Sequence, residues 1–140
     1  MSSLSALAES YRKQGRHAEA EPLFKELLEV RRRTLTPDNP TTLATLTSFA
    51  ALKREQRQFA AAEQYLQDVL KGYARIRSAS WQRSYAEALL GATLIDLNRL
   101  DEAKPLLTTA RQQMAQRRAV IPVKDLPLLD AVRDWAGLAK

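Results

Sequence analysis

Residues 4–30 read LSALAESYRKQGRHAEAEPLFKELLEV. Leu4, Leu7, Ala8 and Tyr11 fall at i, i+3, i+4 and i+7, the spacing that lines one face of an α-helix. Gly15 then offers the permissive backbone that a helix end favours, and Ala20, Phe24, Leu27 and Leu28 resume helical spacing. The stretch predicts a helical hairpin, with one helix from Ser2 or Ser3 to Gln14 and a second from about Ala18. Pro22 is read as belonging to the start of the second helix, where the amides have no internal acceptor and a proline removes no hydrogen bond. Glu19 and Glu21 suit the positive end of the helix dipole.

The hairpin returns twice, and a place in each copy is numbered here by the residue of the first copy that it matches. Aligning Ala20 with Ala62 gives a period of 42, which sets Phe49 at place 7, Ala50 at place 8, Leu66 at place 24 and Phe59 at place 17. Aligning Ala62 with Ala103 gives a period of 41, which sets Leu90, Gly91 and Leu94 at places 7, 8 and 11, Asn98 at place 15 and Pro105 at place 22. The small residues Ala8, Ala50 and Gly91, and Ala20, Ala62 and Ala103, fit close helix crossings, which need short side chains at the contact. Between the copies, TLTPDNP (residues 34–40) stops one helix and starts the next, with Asn39 as N-cap and Pro40 at the first helical position. Ser80 is the matching N-cap for a helix from Trp81 to about Leu97. After Arg118 the pattern breaks at AVIPVKDLP. Asp125 is placed to cap a last helix, about Leu126 to Ala136, with Leu128, Leu129, Val132 and Trp135 on one side and Asp130, Arg133 and Asp134 on the other.

The spacing Leu4-x2-Leu7-Ala8-x2-Tyr11 followed by Ala20-x3-Phe24 resembles the tetratricopeptide repeat (TPR) signature W-x2-L-G-x2-Y…A-x3-F, with Leu for Trp and Ala for Gly. The longer period of 41 to 42 is similar to that of the kinesin light chain type of repeat, while Arg32 stands where a 34-residue unit has its terminal proline. The resemblance covers about residues 3–118. It implies an all-α fold, a right-handed TPR superhelix (α-solenoid) of three helical hairpins plus a C-terminal capping helix. The units would span about residues 1–38, 39–78 and 79–118, and the cap about residues 125–138. In a repeat stack each unit buries its face against the next, so the last face needs a cover that is polar outside. At the other end no comparable cap precedes Ser2.

Composition narrows the chemistry. A chain of 140 residues without cysteine is long enough for a core and excludes disulfides and thiolate metal sites. No apolar run approaches a signal-peptide core or a membrane span, so a cytoplasmic protein with no membrane partner is expected. The net charge of +6 comes with Arg31–Arg33, Arg75, Arg77, Arg117 and Arg118 at the ends of second helices, where cations complement the dipole. No aromatic residues are interleaved for base stacking, which argues against a nucleic-acid partner. His17, the only histidine, aligns with Phe59 and Leu100 and reads as a packing residue rather than a general base. Asp101-Glu102 is read as an acidic first turn rather than a cation site. No Gly-rich phosphate loop occurs, and neither a cofactor nor an enzymatic activity is expected.

What the resemblance implies instead is protein binding in a groove lined by the first helix of each unit. Places 5, 9 and 12 give Ser5, Glu9 and Arg12, then Thr47, Ala51 and Arg54, then Ala88, Ala92 and Ile95, with Tyr85 nearby. Arg12 and Arg54, with Lys13 beside them, could pair with carboxylates of an acidic peptide through the planar guanidinium fork. The Asn pair typical of the kinesin light chain family is replaced by Ser5-Ala6, Thr47-Ser48 and Ala88-Leu89, so that family's cargo specificity is not implied. Self-association through the open N-terminal face is the structural alternative.

Overall fold

A computed structural model describes residues 3–34 and 38–138, with Ser3 and Thr34 described by their backbone alone. Among these residues the chain forms seven α-helices: α1 (Ser3–Lys13), α2 (His17–Thr34), α3 (Pro40–Glu55), α4 (Phe59–Arg75), α5 (Trp81–Asp96), α6 (Leu100–Gln116) and α7 (Pro127–Leu138). Two 3₁₀ turns, Arg118–Val120 and Val123–Asp125, precede α7. The fold is an all-α helical repeat. Of the TLTPDNP segment, Leu35 to Pro37 lie outside the described residues.

The three hairpins turn by one device. Gly15, Arg57 and Asn98 adopt left-handed backbone, with φ of 76°, 64° and 63°. Their amides donate to the carbonyls of Arg12, Arg54 and Ile95, and the next amides, of Arg16, Gln58 and Arg99, reach back to Tyr11, Lys53 and Leu94. This pair of bonds closes the last turn of each first helix as a Schellman motif. Arg77, at φ 54°, ends α4 in the same way, through Arg77 N–H to Ala74 and Ser78 N–H to Tyr73. At the helix starts, Asn39 Oδ1 accepts from Thr41 N–H at 2.9 Å and Ser80 Oγ from Arg83 N–H at 3.4 Å.

Two local expectations are corrected. α2 begins at His17, so Pro22 is its sixth residue and lies beyond the four free amides. Its missing N–H withdraws the donor due to the Ala18 carbonyl, and Pro105 does the same to Asp101 in α6. Both Ala18 and Asp101 are exposed, so water can satisfy those oxygens. Asp125 is not the cap of α7: it belongs to a 3₁₀ turn, and α7 opens on Pro127, whose fixed φ suits a first helical position.

Each hairpin packs on itself and on the next, and α7 lies against α5 and α6. Ala8, Ala20, Ala50, Ala62 and Ala103 are wholly buried. At Gly91 a Cβ would sit 2.6 Å from Leu107 Cγ, so this crossing excludes even a methyl group unless Leu107 moves. Phe24, Leu66 and Leu107, at the common place 24, are all buried, each worth about 1.5–3 kcal/mol relative to exposure. One place breaks the symmetry. Leu7 is 45 % exposed, whereas Phe49 and Leu90 are 2 % and 7 % exposed. Phe49 sits between Phe24 of α2 and Tyr65 of α4, at ring-centroid distances of 6.1 and 5.2 Å. Among the described residues no helix lies on Leu7 as α2 lies on Phe49.

Candidate functional site

α1, α3 and α5 lie side by side, and the residues expected to line the groove fall along them in two kinds of setting. Thr47, Ala51, Ala88 and Ala92 are buried, and Thr47 turns its hydroxyl back to the Leu43 carbonyl at 2.8 Å. Ser5, Glu9, Arg12, Arg54, Tyr85 and Ile95 are half-buried, and Lys13 is exposed. The small floor follows from alanine at the floor places of the second and third units. Its walls are charged and aromatic.

Both arginines are engaged within the chain. Arg12 donates from Nε and Nη2 to Glu9 at 3.0 and 3.1 Å, and from Nη1 to Glu55 Oε2 at 2.8 Å. Arg54 donates from Nε to Asp96 Oδ2 at 2.6 Å, and its guanidinium lies 5.2 Å from the centre of the Trp135 ring. Glu55 and Asp96 both stand at place 13, so in each seam the arginine at place 12 reaches the carboxylate at place 13 of the following unit. The sequence carried that signal as a spacing of 43 and 42 residues, in each seam one more than its period, between arginine and acid.

A second set of pairs repeats on the α2–α4–α6 side. Glu21 accepts from Gln56 Nε2 at 3.0 Å and pairs with Lys53 Nζ at 3.2 Å, while Glu63, also at place 21, accepts from Arg99 Nη1 at 2.8 Å. The bond from Gln56, with Lys25 and Lys53 beside it, lowers the Glu21 carboxyl to about 2. His17 is half-buried at the start of α2, with Nε2 3.6 Å from Glu55 Oε1. It does stand in register with Phe59 and Leu100, each the first residue of its helix.

Trp135 of α7 was expected only as part of the cap, yet it also reaches this face. Its ring lies 6.2 Å from that of Tyr85 and under Arg54. Burial pushes the Tyr85 phenol up to about 12, with Arg12 and Arg54 acting against it and Glu9 and Glu55 with it. The phenol is therefore neutral across the physiological range. The geometry offers a guanidinium fixed by one carboxylate and one indole, bordered by a phenol, above a floor of methyl groups.

The family model described as tetratricopeptide repeat matches residues 1–75, just over half of the 140-residue chain. The chain belongs to the tetratricopeptide repeat family. No curated protein matches it. Two solved structures, described as nearly identical TPR-like repeats of a Podosopora anserina kinesin light chain, match with TM-scores of 0.71 and 0.69 at 22 % identity. Each alignment covers 97 % of this chain and 63 % of the other, so this TPR chain spans less than two thirds of their length. At that identity the likeness is one of fold. As a stack of tetratricopeptide repeats, the chain is a protein–protein interaction module in general terms.

Proposed function

We propose that this TPR chain binds a protein or peptide segment along the face formed by α1, α3 and α5, in the cytoplasm and without turning its ligand over. The observation that carries the reading is Arg54. Asp96 and Trp135 hold its guanidinium in place, Nε is the only nitrogen of the group that donates to a described residue, and the two Nη groups remain as a fork for a carboxylate. Arginine and aromatic side chains around a desolvated floor are the composition of interface hot spots. Arg12, with three donor bonds already made, serves as the fixed edge of the same face rather than as a second fork.

The basic excess gives a nucleic-acid partner little support, because Arg32 and Arg33 pair with Glu29, Arg75 with Asp38, and Arg99 with Glu63 and Glu102. Among the described residues no helix is long and apolar enough to cross a membrane. The test is a peptide-display selection on the wild-type chain and on Arg54→Glu and Arg54→Gln variants, repeated at high salt. Peptides with a carboxylate beside apolar residues should be enriched on the wild type and lost at least tenfold on Arg54→Glu. Equal enrichment on all three proteins would sink the assignment of Arg54.

A further inference from the structure

The two seams between repeats state a rule for what covers the front of a unit. In each seam an apolar residue at place 7, Phe49 or Leu90, is buried. A carboxylate at place 13 meets an arginine from the preceding unit, and a base or amide at place 11, 14 or 16 meets a carboxylate at place 21 of the preceding unit. The front of the first unit follows the rule in its apolar part and in its base at place 16, and inverts the charge at place 13. Leu7 is there but 45 % exposed. Place 13 holds Lys13 in place of a carboxylate, and no described carboxylate lies within ion-pair distance of it. Place 16 holds Arg16, stacked 4.5 Å over Tyr11 and paired only with the exposed Glu19.

We infer that this front face, Leu7 with Ser10, Tyr11, Lys13 and Arg16, is a second docking surface, and that its occupant is an amphipathic helix of another protein with acidic margins. The helix lies as α2 lies on α3, its apolar stripe over Leu7, with a carboxylate toward Arg16, as Glu63 meets Arg99, and its acidic first turn beside Lys13, where α2 sets His17 beside Glu55. A second copy stacked head to tail does not fit. Its last unit would present Ile95 at place 12 and Lys104 at place 21, setting Lys104 toward Arg16, and its α5 and α6 already carry α7. Two copies meeting front to front would oppose Lys13 and Arg16 to their own images, a like-charge arrangement that disfavours pairing.

The probe is a side-chain-stapled helical peptide with the sequence of residues 17–30, the segment that covers Phe49 in the first seam. Its four glutamates and one lysine give it a net side-chain charge of −3 with His17 neutral. Titrated into the ¹⁵N-labelled chain, it should shift the amides of Leu7, Ser10, Lys13 and Arg16 and leave those around Tyr85 unmoved. Leu7→Asp and Lys13→Glu/Arg16→Glu should each weaken binding at least tenfold, with melting temperatures within a few degrees of wild type because these side chains are exposed. The same peptide with glutamine at all four glutamates should bind at least tenfold more weakly. No shifts at millimolar peptide, shifts confined to the α3–α5 face, or equal binding of the glutamine peptide would each overturn the inference. So would a concentration-dependent dimer of the chain alone that Leu7→Asp abolishes, since the occupant would then be a second copy.

Discussion

The two ends of this stack differ more than any two of its repeats. At the C-terminal end, α7 covers the last hairpin, with Val132 wholly buried and Trp135 inserted beside Tyr85 and Arg54. At the N-terminal end, α1 presents the same apolar pattern as α3 and α5, but nothing described lies on Leu7. Local sequence makes the helix in each case. The neighbour decides what the side chain is worth, as expected of an array in which each unit contacts only the next.

Truncation at one place in all three units exposes this difference most strongly. Phe49→Ala should cost about 3–5 kcal/mol and Leu90→Ala about 2–5, the range for emptying a packed core site. Leu7→Ala should cost less than about 1 kcal/mol, because nearly half of the side chain is already in water. Urea midpoints of the three variants would show it, and equal losses would mean that the front of α1 is covered in solution.

The covered end should yield next. Trp135→Ala removes an indole that is half-buried against Tyr85 and Arg54, and we expect a loss of about 2–3 kcal/mol, below the range for a fully buried tryptophan. A further readout is the phenol of Tyr85: with the indole gone, ultraviolet titration should place it below about 12, nearer the ordinary tyrosine value. An unchanged phenol with an unchanged midpoint would mean that α7 does not hold Trp135 on this face.

Most of the architecture was legible because periodicity, small residues at crossings and helix stops are local signals. The three registered copies, Asn39, Ser80 and the small residues at places 8 and 20 were all visible in the chain itself. What escaped was what depends on the next unit. Arg12 and Arg54 read as free guanidiniums because their partners, Glu55 and Asp96, lie a whole repeat away, and a helix-by-helix reading has no reason to join them. Pro22 was misplaced because it is the fifth residue even of a helix that starts at Ala18 and the sixth of α2 as it stands, past the four free amides in either case. Arg57 and Arg77 carry no mark of left-handed backbone, since the turn is imposed by the packing of the two helices it joins rather than by the residue. The exposure of Leu7 is not legible in α1, whose apolar spacing matches that of α3; it depends on what lies on that helix.

Seam chemistry gives a smaller effect that also separates inner from outer faces. Glu21 is held at about 2 by Gln56, Lys25 and Lys53, below the ordinary value of 4.5. A depressed folded value means that its stabilisation is complete above about pH 4.5 and is lost as pH falls toward 2. With a quarter of the side chain still in water, screening leaves on the order of 1–2 kcal/mol. Glu21→Gln should therefore lower stability at pH 7 and flatten the acid limb of the stability–pH curve between about 4.5 and 2. A parallel limb for wild type and variant would remove Glu21 from the seam.

The turns supply the finest distinction. A side chain at positive φ strains the backbone by about 1–2 kcal/mol, and replacing it by glycine recovers that strain less roughly 0.5–1 kcal/mol of extra chain entropy. At Arg77 nothing else intervenes, since no described contact uses its side chain, so Arg77→Gly should stabilise the chain by about 0.5–1 kcal/mol. Arg57 has the same backbone, yet its guanidinium lies 5.6 Å over the Phe59 ring, an exposed cation–π contact worth about 0.5–1 kcal/mol. Glycine there loses the contact as it relieves the strain, and the two changes nearly cancel. Paired urea midpoints should therefore rise for Arg77→Gly and stay still for Arg57→Gly. If both rise together, the stack over Phe59 contributes nothing, and the turns of the second repeat differ from Gly15 by backbone strain alone.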